Sequence, residues 1–98
     1  MRDNEVLLSG QVIGREVLRH TPAGVPILAF TLKHQSTQVE GGMPRQVAFD
    51  VDAMAVGDTA QRMNTLEAGQ RVRLQGFLAS RSRLSTRIVL HVNQFEFE

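Results

Sequence analysis

Five arginines lie in a part of the sequence that contains no acidic residue. This part runs between Glu67 and Glu96, and its arginines are Arg71, Arg73, Arg81, Arg83 and Arg87. The net charge of the 98 residues is only +1, because acids such as Asp50 and Asp52 lie elsewhere in the chain. Guanidinium groups collected in one segment of a near-neutral domain indicate a local anionic partner, not a surface that attracts polyanions everywhere.

The other residues that could carry chemistry are too scattered to form a metal or cofactor site. His20, His34 and His91 stand singly, without the paired spacing of zinc ligands, and the sequence has no cysteine. Gly41-Gly42 precedes no helix with a lysine, which is the context that a phosphate-binding loop requires. We therefore expect neither a metal nor a cofactor.

Asp50 and Asp52 are a pair of carboxylates that a strand would place on the same face. Paired carboxylates can carry out acid–base catalysis, but no histidine, nucleophile or metal ligand accompanies this pair nearby in the sequence. A hydrolase or nuclease is therefore disfavoured. We expect a protein that is not an enzyme, with the two acids facing solvent or another subunit.

Apolar residues that alternate with polar ones predict strands along most of the chain. In the first strand, residues 6–13, alternate residues from Val6 to Val12 share one face, and Gly10 or Gly14 predicts a bend. The later predicted strands are residues 17–20, a possible continuation of the first, then 26–36, 45–54, 70–79 and 87–97, with a break near Asn93.

The segments between these strands carry turn and loop signals. Pro22 and Gly24 occupy the second and fourth positions of a type I turn, which predicts a hairpin. Residues 37–44 are polar and contain glycine, so we predict a loop there. Residues 80–86 are predicted to form a polar, basic connection.

One segment, residues 56–68, has the apolar period of a short helix. Asp58 or Thr59 could cap its start, and Gly69 stands where a helix should end. Five strands with one helix between the third and the fourth predict an all-β fold with little helix: a five-stranded Greek-key OB-fold barrel. We expect residues 1–98 to form this single domain.

The sequence predicts a cytoplasmic protein with no membrane association. No apolar run approaches the ~20 residues that a membrane span requires. The amino-terminal residues 1–5 lack the basic start and apolar stretch of a signal peptide.

Parts of the sequence resemble known bacterial proteins. The first hairpin of bacterial single-stranded-DNA-binding proteins is similar to the segment with Leu8-Ser9-Gly10, Arg19, Thr21-Pro22-Ala23-Gly24, Pro26, Phe30 and Leu32. The primosomal replication protein N family resembles this chain further at Leu32-Lys33-His34-Gln35-Ser36, Arg45-Gln46, residues 72–78 and Val89-Leu90-His91. This resemblance extends over nearly the whole chain.

The resemblance implies a homodimer of OB-folds that binds single-stranded DNA. It also implies two protein partners, the restart helicase PriA and the helicase-loader adaptor DnaT, which the dimer would bridge. The family's DNA-contacting positions correspond here to Arg19, Lys33, Arg45, Arg81, Arg83 and Arg87. The tryptophan that stacks on a base in well-known members is matched by Ala48, and a nearby loop aromatic by Met43.

The fourth predicted long strand adds two candidates for DNA contact. Arg73 and Phe77 share one face of this strand with Arg71. Cations that follow phosphates and aromatic rings that hold bases are the usual components of a single-strand site. For Phe77 the alternative is packing in the core or at a dimer contact, and both readings stay open.

Two hypotheses of different class follow. The first is a single-stranded-DNA-binding accessory protein of the replication-restart primosome that does not read base sequence. The second is an OB-fold protein–protein interaction module whose DNA binding is weak or incidental, which the absence of tryptophan and tyrosine favours.

Overall fold

The strands pair into one sheet that closes on itself. The computed structural model describes residues 3–98; Met1 and Arg2, the start of the segment considered above as a leader, lie outside the described residues. The elements in chain order are β1 (Val6–Arg15), β2 (Arg19–His20), β3 (Pro26–Glu40), β4 (Met43–Val56), α1 (Asp58–Arg62), β5 (Arg71–Ser80) and β6 (Ile88–Phe97).

The order of the strands is that of an OB-fold. Neighbouring strands follow the sequence β1-β5-β6-β4-β3-β2, and a further pairing of β1 with β3 closes the barrel. β4 and β6 run parallel, whereas the other paired strands are antiparallel. Because β2 is only a two-residue edge on β3, the barrel consists of five long strands with α1 between β4 and β5. The predicted fold is confirmed.

The barrel interior is filled by the alternate residues that the sequence pattern placed on one face. The largest fully buried side chains from the strands are Val12, Leu28, Leu32, Val72, Leu74 and Leu90. Ala60, Met63 and Leu66, from α1 and the turns after it, pack against the same core. The opposite faces of the strands are thereby left to solvent and to ligands.

Two β-bulges bend the strands at predicted positions. The register of β1 against β3 shifts between Val12 and Gly14, and Asn93 is skipped where β5 pairs with β6. Bulges of this kind increase the local bend of a strand, which a small closed barrel requires.

The prediction of a loop at residues 37–44 is wrong. β3 continues to Glu40 and β4 begins at Met43, so only Gly41 and Gly42 form the turn of a long hairpin. Both glycines have positive φ, at 60° and 80°, as a two-residue type I′ turn demands. This outer part of the hairpin has no buried residues, so it lacks the apolar alternation by which a strand is identified.

The helix is shorter than predicted and begins differently. α1 has five residues, and its N-cap is Gly57, with no side-chain hydrogen bond from Asp58 or Thr59 to the helix end. Residues 63–69 form turns instead of further helix. Within residues 3–98 no helix is long and apolar enough to cross a membrane.

Candidate nucleic-acid interface

A groove of about 450 Å³ lies on the outer face of β3 and β4. Its floor includes two cross-strand pairs, Ala29 with Met54 and Thr31 with Asp52. These residues alternate with core residues along the same strands, which turns their side chains outward. The alternation of residues along the two strands therefore determines which side chains form the groove floor, and the sheet holds these side chains in fixed positions.

Arginines from two connections flank this groove. Arg19 lies on β2, and Arg81 begins the connection between β5 and β6. The Arg81 backbone N–H donates to the Arg87 carbonyl oxygen at 2.9 Å, which closes the base of that connection. Among the ion pairs of the described residues, none involves Arg19 or Arg81. Both guanidinium groups are thus exposed and available to an anion at the groove.

Lys33 extends the same outer face beyond the groove. It lies two residues after Thr31 on β3, opposite Asp50 of β4, and it is exposed. The next pair on this face is Gln35 with Ala48. The face continues along the hairpin, so a linear ligand that occupies the groove would meet Lys33 and then Ala48 in turn.

Two of the predicted cations already have carboxylate partners. The Arg87 guanidinium contacts Asp52 with Nη2 and Oδ2 2.6 Å apart. Near the end of the hairpin, Arg45 pairs with Glu40 at 2.5 Å. Both pairs are at the surface, where an ion pair is worth only about 0.2 to 1 kcal/mol and can be exchanged. Arg83 lies exposed in the connection after β5, with no ion pair among the described residues.

Arg73 and Phe77 lie on a different wall of the barrel. Arg73 on β5 is opposite Ser9 of β1 and Glu96 of β6, near the end of β6 that is remote from the groove. The Phe77 ring stacks on His91, with ring centroids 5.0 Å apart and an angle of 6° between the planes. The structure therefore brings together Arg19, Arg81, Arg87 and, along the same face, Lys33. It does not bring Arg73 or Phe77 to this face, and Arg45, opposite Gln38, is on the other face of the hairpin.

Some groove residues are absent from the sequence prediction. Met54 and Thr31 could have been found, since each neighbours a buried residue on its strand and must face outward. Arg15 also lines the groove, but its Nη1 donates to the carbonyl oxygens of Asn64 and Leu66 at 2.8 and 3.1 Å. That role depends on tertiary contact and leaves no local signal in the sequence.

No cluster of histidine and acidic side chains that could hold a metal ion occurs in the part of the chain that the structure describes. The side chains that line the groove carry guanidinium, carboxylate, hydroxyl and thioether groups, and the Lys33 ammonium lies beyond it on the same face. The cationic and hydroxyl groups among them can bind an anion such as a phosphate.

Comparison with known proteins gives one family. A model described as another single-strand binding protein family matches residues 4–94. Replication restart protein PriB of Nitrosomonas europaea is 39% identical over 89 residues, which cover 91% of this chain and 82% of that protein. PriB of Bordetella pertussis is 40% identical over 91 residues, with 93% and 85% covered. PriB is the short name of primosomal replication protein N, so the resemblance seen in the sequence is confirmed.

Solved structures agree with this assignment. The structure of PriB from Ralstonia solanacearum superposes with a TM-score of 0.86 at 33% identity and covers 97% of both chains. The single-stranded DNA binding protein of Thermus aquaticus has a TM-score of 0.77 at 24% identity, over 97% of this chain and 50% of that one, which supports the fold alone. The family description and the names of these relatives refer to single-strand binding and replication restart, and none names a reaction. The chain therefore belongs to this single-strand binding protein family.

Proposed function

We propose that this protein binds single-stranded DNA without reading its sequence, as an accessory protein of replication restart in the cytoplasm. The observation that carries the proposal is the groove on β3 and β4, flanked by the unpaired guanidinium groups of Arg19 and Arg81. Lys33 continues the same outer face. The groove lining has three arginines against two acids, Glu16 and Asp52, so its net charge is positive. A groove with excess positive charge along a sheet suits an extended phosphate backbone.

Charge supplies most of the expected affinity. Each phosphate that a lysine or arginine neutralises on a single strand releases counterions and contributes about 0.7 to the slope of log affinity against log salt. Aromatic stacking contributes little at the groove, because the chain has no tryptophan or tyrosine and Phe30 below the groove is buried. Binding should consequently weaken steeply as salt is added.

The test is titration of a fluorescent oligo-dT at low and moderate salt. R19A/R81A should bind at least about tenfold more weakly, and its salt slope should be shallower by about 1.4, the share of two phosphate contacts. R62A/R71A is the matched control, since it removes the same charge from two residues that do not line the groove. The proposal fails if the natural chain shows no salt-sensitive binding at micromolar protein, or if both double variants lose the same affinity.

The proposal includes a homodimer. Residues 6–8 of β1 pair only with β5 in the described part of the chain, so one edge of this segment is open, and Leu7 there is exposed. From Ser9 onward β1 lies against β3, where His34 Nδ1 is 2.7 Å from the Ser9 carbonyl oxygen. An open strand edge is a template for pairing with a second chain. Sedimentation with and without oligonucleotide would report subunit number and complex formation together, and a monomer at all concentrations would reject the dimer.

We further propose that the dimer bridges the restart helicase PriA and the adaptor DnaT, as the family resemblance implies. A pull-down with each purified partner, in the presence and absence of oligo-dT, tests this part separately from DNA binding. Binding of neither partner would reject the bridging role and leave the DNA proposal standing.

A second candidate function is an interaction module whose DNA contact is incidental. Ala48 favours it, because this exposed alanine on the face of Lys33 offers no ring on which a base could stack. Partner binding that is undiminished in R19A/R81A, together with weak oligo-dT binding by the natural chain, would support this function over the first.

A further inference from the structure

The Asp52 carboxylate lies inside the groove, where a phosphate would be expected. Asp52 lines the groove floor opposite Thr31, and its side chain keeps one third of its surface accessible, at 33%. An acid at this place opposes the attraction that Arg19 and Arg81 provide. The presence of this negative charge in the groove therefore needs a physical explanation.

Register explains why Arg87 reaches this carboxylate. β4 and β6 run parallel, with Asp52 beside Val89, and Arg87 precedes Val89 by two residues. The Arg87 side chain thus starts close to Asp52, and its Nη2 donates to Oδ2 at 2.6 Å. The Arg87 side chain remains 64% exposed, so the pair borders the space that the groove leaves to a ligand.

Carboxylate and phosphate compete for one guanidinium. Both are oxyanions that bind arginine through charge-assisted hydrogen bonds of similar geometry. DNA that recruits Arg87 must first separate it from Asp52 and then leave an uncompensated carboxylate beside the phosphates. The ion pair thus lowers the gain that Arg87 could give to DNA binding.

We infer that Asp52 acts as an autoinhibitory competitor that keeps Arg87 from the DNA and so weakens binding at this groove. The inference rests on the proposed function, since it assumes that DNA occupies the groove. It deepens that function by assigning opposite effects to two groups in one site: Arg19 and Arg81 attract the strand, and Asp52 limits its affinity.

D52N tests the inference against a matched control. It removes one negative charge with little change of shape, whereas D58N removes the same charge from α1, where Asp58 pairs with Arg62 at 3.0 Å and does not line the groove. We expect D52N to bind oligo-dT about twofold to fivefold more tightly than the natural chain, which is the change in affinity that loss of one exposed ion pair would give. Its salt slope should be steeper by about 0.7, because Arg87 then reaches a phosphate. D58N should change both quantities little.

The double variant D52N/R87A distinguishes two causes of tighter binding. One is release of Arg87 from its ion pair, and the other is loss of the repulsion between Asp52 and the DNA phosphates. In D52N/R87A the salt slope should return to that of the natural chain, since the freed cation is gone. D52A, which has no oxygen to accept from Arg87, should repeat the effect of D52N, and thermal melting confirms that each variant is folded.

The outcomes test the role of Asp52 separately from DNA binding itself. If the natural chain binds in a salt-sensitive way but D52N and D52A bind no more tightly than D58N, the inference is overturned and the proposed function stands. If D52N/R87A keeps the steeper slope, Arg87 is not the competing partner, and the inference is likewise overturned. If the natural chain does not bind oligo-dT at all, the proposed function falls, and the inference with it.

Discussion

The guanidinium of Arg15 lies against the turn that follows α1, where its Nη1 donates to the backbone carbonyl of Asn64 at 2.8 Å. The same nitrogen donates to the carbonyl of Leu66 at 3.1 Å, and Nη2 donates to the Asn64 side chain. The last carbonyls of a helix and of the turns after it need such partners from outside. Arg15 therefore joins the end of β1 to the turns that carry the buried Leu66.

We predict that R15A lowers the free energy of unfolding by about 1 to 3 kcal/mol, because it leaves the partly buried carbonyl of Leu66 without this donor. Urea denaturation measures this. R19A is the control, since Arg19 is exposed and should change stability by less than about 0.5 kcal/mol. The order should reverse for oligo-dT affinity, with R19A the weaker binder. Equal stability of the two variants would show that the Arg15 contacts are dispensable.

Gly76 permits the close approach of β5 to β6. A Cβ atom at this position would stand 1.7 Å from the carbonyl oxygen of His91 and 2.8 Å from its carbonyl carbon, both of which are backbone atoms. We predict that G76A lowers the free energy of unfolding by about 3 kcal/mol or more, since the strands must separate to make room.

Gly14 provides the comparison for this substitution. A Cβ there would meet no atom within 4 Å, and its φ is not in the left-handed region, so G14A should be close to neutral. The two variants are compared by thermal melting. A melting temperature for G76A equal to that of G14A would contradict the close approach at His91.

The fold could be predicted from the sequence because most strands have one buried face. Leu28, Phe30 and Leu32 alternate with small or polar residues, and this alternation predicts that their side chains lie inside the barrel, as they do. The outer hairpin could not be recognised in that way, since both of its faces meet solvent. Its remaining signal was Gly41-Gly42, whose positive φ values suit a two-residue turn.

The candidate site was predictable only in part. Strand parity places Lys33 outward, whereas the convergence of Arg19 and Arg81 on one groove depends on how two connections fold over the barrel. The pairing of Arg87 with Asp52 joins residues 35 positions apart in the sequence. No local pattern encodes such a contact, because it arises from the parallel register of β4 and β6.

Ala48 is the position at which an aromatic ring could be added to the outer face of the hairpin, beyond the groove. It is exposed on β4 opposite Gln35, on the outer face that also carries Lys33. We predict that A48W strengthens oligo-dT binding by about fivefold or more, because stacking of one base on an aromatic ring contributes about 1 to 3 kcal/mol. The salt slope should stay unchanged, since the substitution adds no cation.

The control for A48W is Q38W, which places the same ring on the opposite face of the hairpin. Gln38 is exposed and pairs with Arg45, so its side chain points away from the face of Lys33 and Ala48. Because the chain contains no tryptophan of its own, the introduced ring also reports binding by its fluorescence. Quenching by oligo-dT should occur in A48W and be weak in Q38W. If both variants were quenched alike, or if A48W gained no affinity, the DNA would not follow this face of the hairpin.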